Sequence, residues 1–190
     1  KYALIMVSKV NSLKEKLQGK ILVTGHTGFK GTWLTLLLQK IGCDVVGISL
    51  PPEKNSLYNI LERHSEIEEY FVDIRDYSNL SRIVNLIKPS FIIHLAAQPI
   101  VSFSYQYPLE TFQTNVMGTA NLLNIACDIG ELKSIVVSTT DKVYLNTETH
   151  KSFIEDDPLF GKDPYSCSKV AAESVIAAWR LLANRKTQIA

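Results

Sequence analysis

Tyr165 and Lys169 stand four residues apart in D-P-Y-S-C-S-K, on one face of a helix that Asp163-Pro164 opens. A phenol with a pKa of about 10 is a poor base at neutral pH. An ammonium beside it, joined by the positive ring of an oxidised nicotinamide, favours the phenolate and lowers that pKa. The phenolate then takes a proton from a hydroxyl as hydride leaves the adjoining carbon. A second cluster, Thr139-Thr140-Asp141-Lys142, closes an apolar run and gathers hydroxyl, carboxylate and amine at a strand end. In isolation a Tyr/Lys pair is an ordinary surface contact. What gives it meaning is a glycine pattern near the start of the chain.

Residues Lys20 to Trp33 read K-I-L-V-T-G-H-T-G-F-K-G-T-W. Ile21, Leu22 and Val23 have the apolar continuity of a strand buried on both faces. Gly25, Gly28 and Gly31 follow at three-residue spacing, and helical text runs on from about Phe29. Strand, glycine-rich turn and helix together predict a dinucleotide site. One glycine permits the sharp turn, one lets the backbone approach a pyrophosphate, and one lets the helix pack against the sheet. N–H groups in the first helical turn face the phosphates. The predicted cradle is Gly25, Thr27, Gly28, Phe29, Lys30 and Gly31.

The elements that position these groups alternate. Asp44 to Leu50 reads as a second strand, with Ser49 where a ribose-binding carboxylate is expected. A serine can bond the ribose but does not repel a 2′-phosphate, so this strand leaves NAD against NADP open. Asn55 to Glu66 is a polar helix or loop, and Glu68 to Val72 a short strand running into Asp73-Ile74. Asp73 either reaches an adenine amino group or caps the next helix. Tyr77 to Lys88 is an amphipathic helix stopped by Pro89. Ser90 to Ala97 forms a fourth strand; its end, Leu95, Ala96, Ala97 and Gln98, lets a cofactor lie against the backbone. His94 inside that run reads as a core histidine. Pro108 to Gly130 predicts one long helix carrying Asn115, and Ser134 to Thr139 a fifth strand. A helix from Pro164 to about Asn184 and a strand beginning in Lys186 to Ala190 complete the chain. This is α/β order: a doubly wound parallel sheet with helices on both faces and ligands at the strands' carboxyl edge.

Composition excludes several classes. The 190 residues suffice for one buried core, and a net charge of +1 with 46% hydrophobic residues gives no basic excess for nucleic acid. Cys43, Cys127 and Cys167 are scattered without C-x-x-C or Cys/His spacing, which predicts reduced thiols, no metal site and a cytoplasmic setting. The apolar run Ala3 to Val7 is too short to span a bilayer and is read as part of an arm. Residues 1–18 are therefore expected to be an N-terminal arm or helix, and 19–190 a cofactor-binding domain cut in or near its sixth strand. Both ends suggest a fragment.

G-x-x-G-x-x-G, His94-Leu95-Ala96-Ala97, Asn115-Val116-x-Gly118-Thr119 and Tyr165-x-x-x-Lys169 together resemble the extended short-chain dehydrogenase/reductases. More narrowly, V-T-G-H-T-G-F-K-G-T-W, G-I-S-L-P-P, H-L-A-A-Q-P, T-N-V-M-G-T, T-T-D-K-V-Y and D-P-Y-S-C-S-K resemble the CDP-glucose 4,6-dehydratase family, from about Gly19 to Ala190. The resemblance implies a Rossmann fold, NAD as cofactor and tolerance of Ser49. It implies that hydride leaves C4 of the hexose for NAD while Tyr165 takes the O4 proton. Water is then eliminated across C5 and C6, and hydride returns to C6. Thr140 would bond O4 and Asp141 would protonate the leaving C6 hydroxyl. Related dehydratases carry a glutamate at the position of Lys142, which removes the C5 proton. Lys142 either does this as a neutral amine or stabilises the enolate. Thr139 would line the cofactor with Tyr165 and Lys169.

The implied substrate is CDP-glucose, the implied product a 4-keto-6-deoxy sugar for surface polysaccharide, and the implied assembly a homodimer of the full-length protein without membrane or nucleic-acid partner. Two other readings compete. A 4-epimerase or reductase needs Tyr165 and Lys169 but has no use for Asp141-Lys142. A non-catalytic NAD-binding module needs neither cluster.

Overall fold

The structure is a computed structural model that describes residues 13–148, 152–183 and 187–190. Of the arm or helix predicted over residues 1–18, residues 1–12 lie outside the described residues; residues 13–16 are helical. Six strands form one parallel sheet: β1 (Lys20–Thr24), β2 (Asp44–Ser49), β3 (Glu68–Phe71), β4 (Phe91–His94), β5 (Ser134–Val137) and β6 (Gln188–Ile189). Their spatial order is β3-β2-β1-β4-β5-β6, the doubly wound order expected from sequence. Register is tight at the centre, where Val23 lies opposite Gly47 on one side and Ile93 on the other. Alternation along β1 divides the core between two faces. Leu22 joins Val46, Ile48, Leu80, Val84, Leu122 and Ile135 on one side, and Ile21 and Val23 join Leu38 and Val45 on the other.

Helices cover both faces: α1 (Phe29–Lys40), α2 (Leu57–Ile60), α3 (Tyr77–Ile87), α4 (Val101–Gln106), α5 (Pro108–Phe112), α6 (Thr119–Cys127) and α7 (Pro164–Leu182). Asp76, not Asp73, caps α3, accepting from the Asn79 N–H at 3.1 Å. Lys88 then takes a left-handed conformation (φ 48) ahead of Pro89, which ends that helix as expected. The single helix predicted over Pro108 to Gly130 is a correction. Its segment is α5, a π-helical stretch Gln113–Gly118 and α6, which stops at Cys127, and α4 precedes it unpredicted. Pro108 opens α5 at its first position. Buried hydrogen bonds from Asn115 draw the wider turn inward, and the Thr119 hydroxyl donates to the Asn115 carbonyl at 2.8 Å. The fourth strand also ends earlier than expected, at His94, leaving Leu95 to Gln98 beyond the ladder.

Among the described residues no helix is long and apolar enough to cross a membrane, and no three His, Cys, Asp or Glu groups converge as metal ligands. All three cysteines are free.

Candidate cofactor and active site

The sheet order reverses between β1 and β4, and the predicted residues lie along the carboxyl edge around that point. Gly25 leaves β1 with φ 75, and its N–H donates to the Ile48 carbonyl at 2.7 Å. A Cβ on Gly25 would sit 2.7 Å from the Ala96 nitrogen, so the turn rests directly on the Leu95-Ala96 backbone. At Gly31 a Cβ would come 2.6 Å from the His26 Cα and closer still to the Gly25 carbonyl, which brings α1 hard against the turn. Gly28 differs: its φ of −73 is open to any residue and nothing lies nearer than 3.3 Å. As the α1 cap it offers no side chain to the first-turn N–H groups, and that turn carries no carboxylate. Those donors are left for an external anion. The cradle fits a pyrophosphate, and Phe29 and Lys30 flank it exposed to solvent.

Thr27 and Ser49 share a hydrogen bond of 2.7 Å, and the Thr27 hydroxyl also lies 3.1 Å from the Leu50 carbonyl. The end of β2 is thereby tied to the glycine turn. Behind it sits a buried group that sequence reasoning missed. The His26 ring contacts Glu69 at 3.0 Å, and Tyr58 donates to the same carboxylate. Burial lowers the His26 pKa, with Glu69 opposing. Gly47 makes room for that ring, since a Cβ there would lie 2.5 Å from it.

Asp73 at the end of β3 is engaged by Arg75, which donates through Nη2 at 2.6 Å, Nε at 2.9 Å and its backbone N–H at 2.9 Å. Burial works to raise the Asp73 pKa, but the Arg75 hydrogen bonds outweigh it and hold the carboxyl low. Ile74 packs into the space left by Gly118, and the Asn121 amide donates to its carbonyl at 3.0 Å.

Asn115 connects three elements. Its Oδ1 accepts from the Gln98 N–H at 2.8 Å, and its Nδ2 donates to the Gln98 carbonyl at 3.1 Å and to Ser168 Oγ at 2.9 Å. Leu95 to Gln98 is thus held toward α7, with Ala97 between. His94 is the core histidine expected. Thr119 spends its hydroxyl proton on the Asn115 carbonyl, so the His94 Nε2 at 3.1 Å carries the hydrogen and Nδ1 accepts from Thr24 at 2.6 Å. Burial, with the Lys169 charge second, drives its pKa down to about 3.

On α7, Asp163 caps the helix by accepting from the Ser166 N–H at 2.9 Å. Tyr165 and Lys169 face the end of β5 and are both buried. Lys169 Nζ donates to the Ser138 carbonyl at 3.0 Å, and burial lowers its pKa to about 8, with Glu173 opposing and Lys30 assisting. Thr140 lies beside the Tyr165 phenol, and its hydroxyl donates to Asp141 Oδ1 at 3.2 Å. The expected lowering of the tyrosine is not met within the chain: burial raises its pKa, Thr140 opposes, and Asp163 and Asp141 add to the rise. The buried ammonium is aimed at a carbonyl instead. Thr140 also caps the turn Asp141–Val143, accepting from the Lys142 N–H at 3.3 Å, and Asp141 and Lys142 are exposed at the site's rim. Glu173 was not singled out from sequence. It lies four residues beyond Lys169, the spacing that would have found it, and accepts from the Thr139 hydroxyl at 2.6 Å.

Comparison with known proteins agrees with this geometry. The family profile described as GDP-mannose 4,6 dehydratase matches residues 22–188. CDP-glucose 4,6-dehydratase of Salmonella typhimurium is 45% identical over 165 residues, covering 86% of this chain and 46% of the relative. A dTDP-glucose 4,6-dehydratase of Streptomyces venezuelae, solved with NAD bound, superposes with a TM-score of 0.76 at 26% identity over 90% of this chain and 54% of that one. UDP-glucose 4-epimerase of Thermus thermophilus, in complex with NAD, gives 0.78 at 26% identity, over 90% and 53%. The chain spans about half the length of the curated relatives it matches.

Proposed function

The chain belongs to the GDP-mannose 4,6-dehydratase family of extended short-chain dehydrogenase/reductases, and we propose that the whole protein is an NAD-dependent sugar-nucleotide 4,6-dehydratase acting on CDP-glucose. Residues 19–190 are its cofactor-binding unit. One observation carries the reading. Tyr165, beside Thr140, and Lys169, bonded to the Ser138 carbonyl, stand near Asp141 and Lys142 at the same sheet edge as the glycine cradle.

Gly25 to Gly31 would hold the pyrophosphate, Thr27 and Ser49 the adenosine ribose, and Asp73 and Ile74 the adenine. Leu95 to Gln98, Asn115 and Thr139 would line the way to the nicotinamide end, where Tyr165 and Lys169 stand. NAD, when bound, supplies the hydride acceptor for C4 and the donor for C6. Tyr165 takes the O4 proton, with Thr140 bonding that oxygen. A 4-ketone acidifies the C5 proton, and Asp141 protonates the departing C6 hydroxyl so that it leaves as water. Lys142 stands exposed beside Asp141 at the rim of the site. We assign it to stabilising the enolate, while a general base takes the C5 proton as the C6 hydroxyl leaves and returns a proton to C5 as hydride reaches C6.

The identity to a CDP-glucose enzyme supports the nucleotide. Three free cysteines fit a cytoplasmic setting, and a homodimer and deoxysugar supply to surface polysaccharide are proposed with the substrate. The deciding experiment incubates the full protein with CDP-glucose. A 4-keto-6-deoxy product without stoichiometric NADH is expected. NADH build-up matching substrate loss, or an epimerised hexose that retains its C6 hydroxyl, would refute the reading.

A further inference from the structure

Three consecutive residues at the end of β5 are each held by a different turn of α7. Thr140 meets Tyr165, the Ser138 carbonyl accepts from Lys169 at 3.0 Å, and Thr139 donates to Glu173 at 2.6 Å. Tyr165, Lys169 and Glu173 are spaced at four and four, so they lie one above another on a single helical face. The first two rungs belong to the chemistry proposed above. The third does not: Glu173 stands a full turn behind Lys169, half-buried, and touches no reacting group of that scheme.

We propose that Glu173 is a positioning residue with two tasks: it clamps Thr139, and through it the Thr140-Asp141-Lys142 turn, and it supplies the counter-charge that keeps the Lys169 ammonium in its buried site. This rests on the reading of Tyr165 and Lys169 as the active pair. The clamp follows from the short bond to Thr139, the residue directly before the turn that places the general acid. The charge follows from what surrounds Lys169. Lys30 on the first turn of α1 is a like charge. His94, facing it from β4, is neutral by its hydrogen bonds and offers no negative charge. Tyr165 on its own helix has its pKa raised by burial, and β5 contributes only the Ser138 carbonyl. Among the groups acting on Lys169, Glu173 is the one that favours the ammonium. An ammonium without a counter-charge at such depth would give up its proton.

The test uses the full protein containing [13C]lysine, with the Lys169 Cε signal assigned by its loss in Lys169→Met. In Glu173→Gln, which keeps shape and hydrogen-bonding capacity, the Cε titration midpoint should fall by about 0.5–1 pH unit. Thr139→Val keeps the carboxylate and should leave that midpoint in place. It should instead slow single-turnover hydride transfer from CDP-glucose roughly 10- to 100-fold through misplacement of the turn. Glu173→Asp, which keeps the charge and loses the reach, should behave as Thr139→Val does. An unmoved midpoint in Glu173→Gln overturns the counter-charge, and an unchanged hydride-transfer rate in Thr139→Val overturns the clamp. If Glu173→Gln does not fold, Glu173→Asp decides the matter: a midpoint displaced as far as in a charge-free site refutes the proposal. Absence of any reaction with CDP-glucose would sink the functional reading and still leave the Lys169 titration to judge Glu173.

Discussion

Replacing each glycine of the cradle by alanine should separate what folding requires from what the cofactor requires. The three are evenly spaced in sequence but not equivalent in space. At Gly25, alanine meets a left-handed φ of 75 and a contact of 2.7 Å with the Ala96 nitrogen. The backbone strain costs about 1–2 kcal/mol and the overlap about 1–3 kcal/mol, so a loss of about 2–5 kcal/mol is expected. At Gly31 the new methyl would lie 2.6 Å from the His26 Cα and 2.8 Å from the Gly25 carbonyl carbon, neither of which can rotate aside. Alanine returns about 1 kcal/mol of helix propensity there, leaving a net loss of about 2 kcal/mol against an overlap at the top of the usual range. Gly28 has an ordinary φ of −73 and one neighbour at 3.3 Å. Loss of a glycine cap to alanine costs about 0.5–1 kcal/mol. Gly28→Ala should therefore melt within about 2–4 °C of the parent protein and yet bind NAD at least about 10-fold more weakly, a change of about 1.4 kcal/mol. Differential scanning calorimetry and titration calorimetry with NAD on the full protein measure the two quantities. If Gly28→Ala binds NAD like the parent, or is destabilised as far as Gly31→Ala, the assignment of Gly28 to cofactor approach is wrong.

Tyr165→Phe should give no transient NADH on mixing with CDP-glucose, whereas Asp141→Asn should let reduced cofactor accumulate on the enzyme, each with a rate loss of about 10²–10⁴; stopped-flow absorbance distinguishes them, and equal loss of hydride transfer in both would refute the division of roles. His94 has a folded pKa pressed down to about 3, so between pH 6.5 and that value the unfolded chain takes up a proton that the folded chain refuses. Stability should then fall by about 2 kcal/mol between pH 7.5 and pH 5 through this residue, and urea titrations of His94→Gln should show a shallower acid slope than the parent. Lys169 loses its proton near pH 8, so single-turnover hydride transfer should decline above that pH as the buried ammonium that holds the Ser138 carbonyl is lost, and a rate still rising through pH 9 would count against it.

What the amino-acid sequence determined by itself was whatever depends on local spacing. Apolar runs located β1, β2, β4 and β5, and the alternation of strands with helices placed β3 and β6. Three glycines between a strand and a helix marked the tight turn that follows β1, and a four-residue interval put Tyr165 and Lys169 on one face, because these patterns follow from helix and strand periods alone. His94 read correctly as core because no local partner accompanied it. Tertiary structure decided what depends on partners distant in the chain. The break between α5 and α6 comes from Asn115 reaching Gln98 and Ser168, 17 and 53 residues away. Tyr165 is raised and not lowered, because desolvation at the β5 edge outweighs the neighbouring hydrogen bond and Lys169 turns to the Ser138 carbonyl. Glu173 gained its partner, Thr139, from an element 34 residues earlier. Burial and charge are sums over everything folded around a group, and no interval along the chain contains that sum.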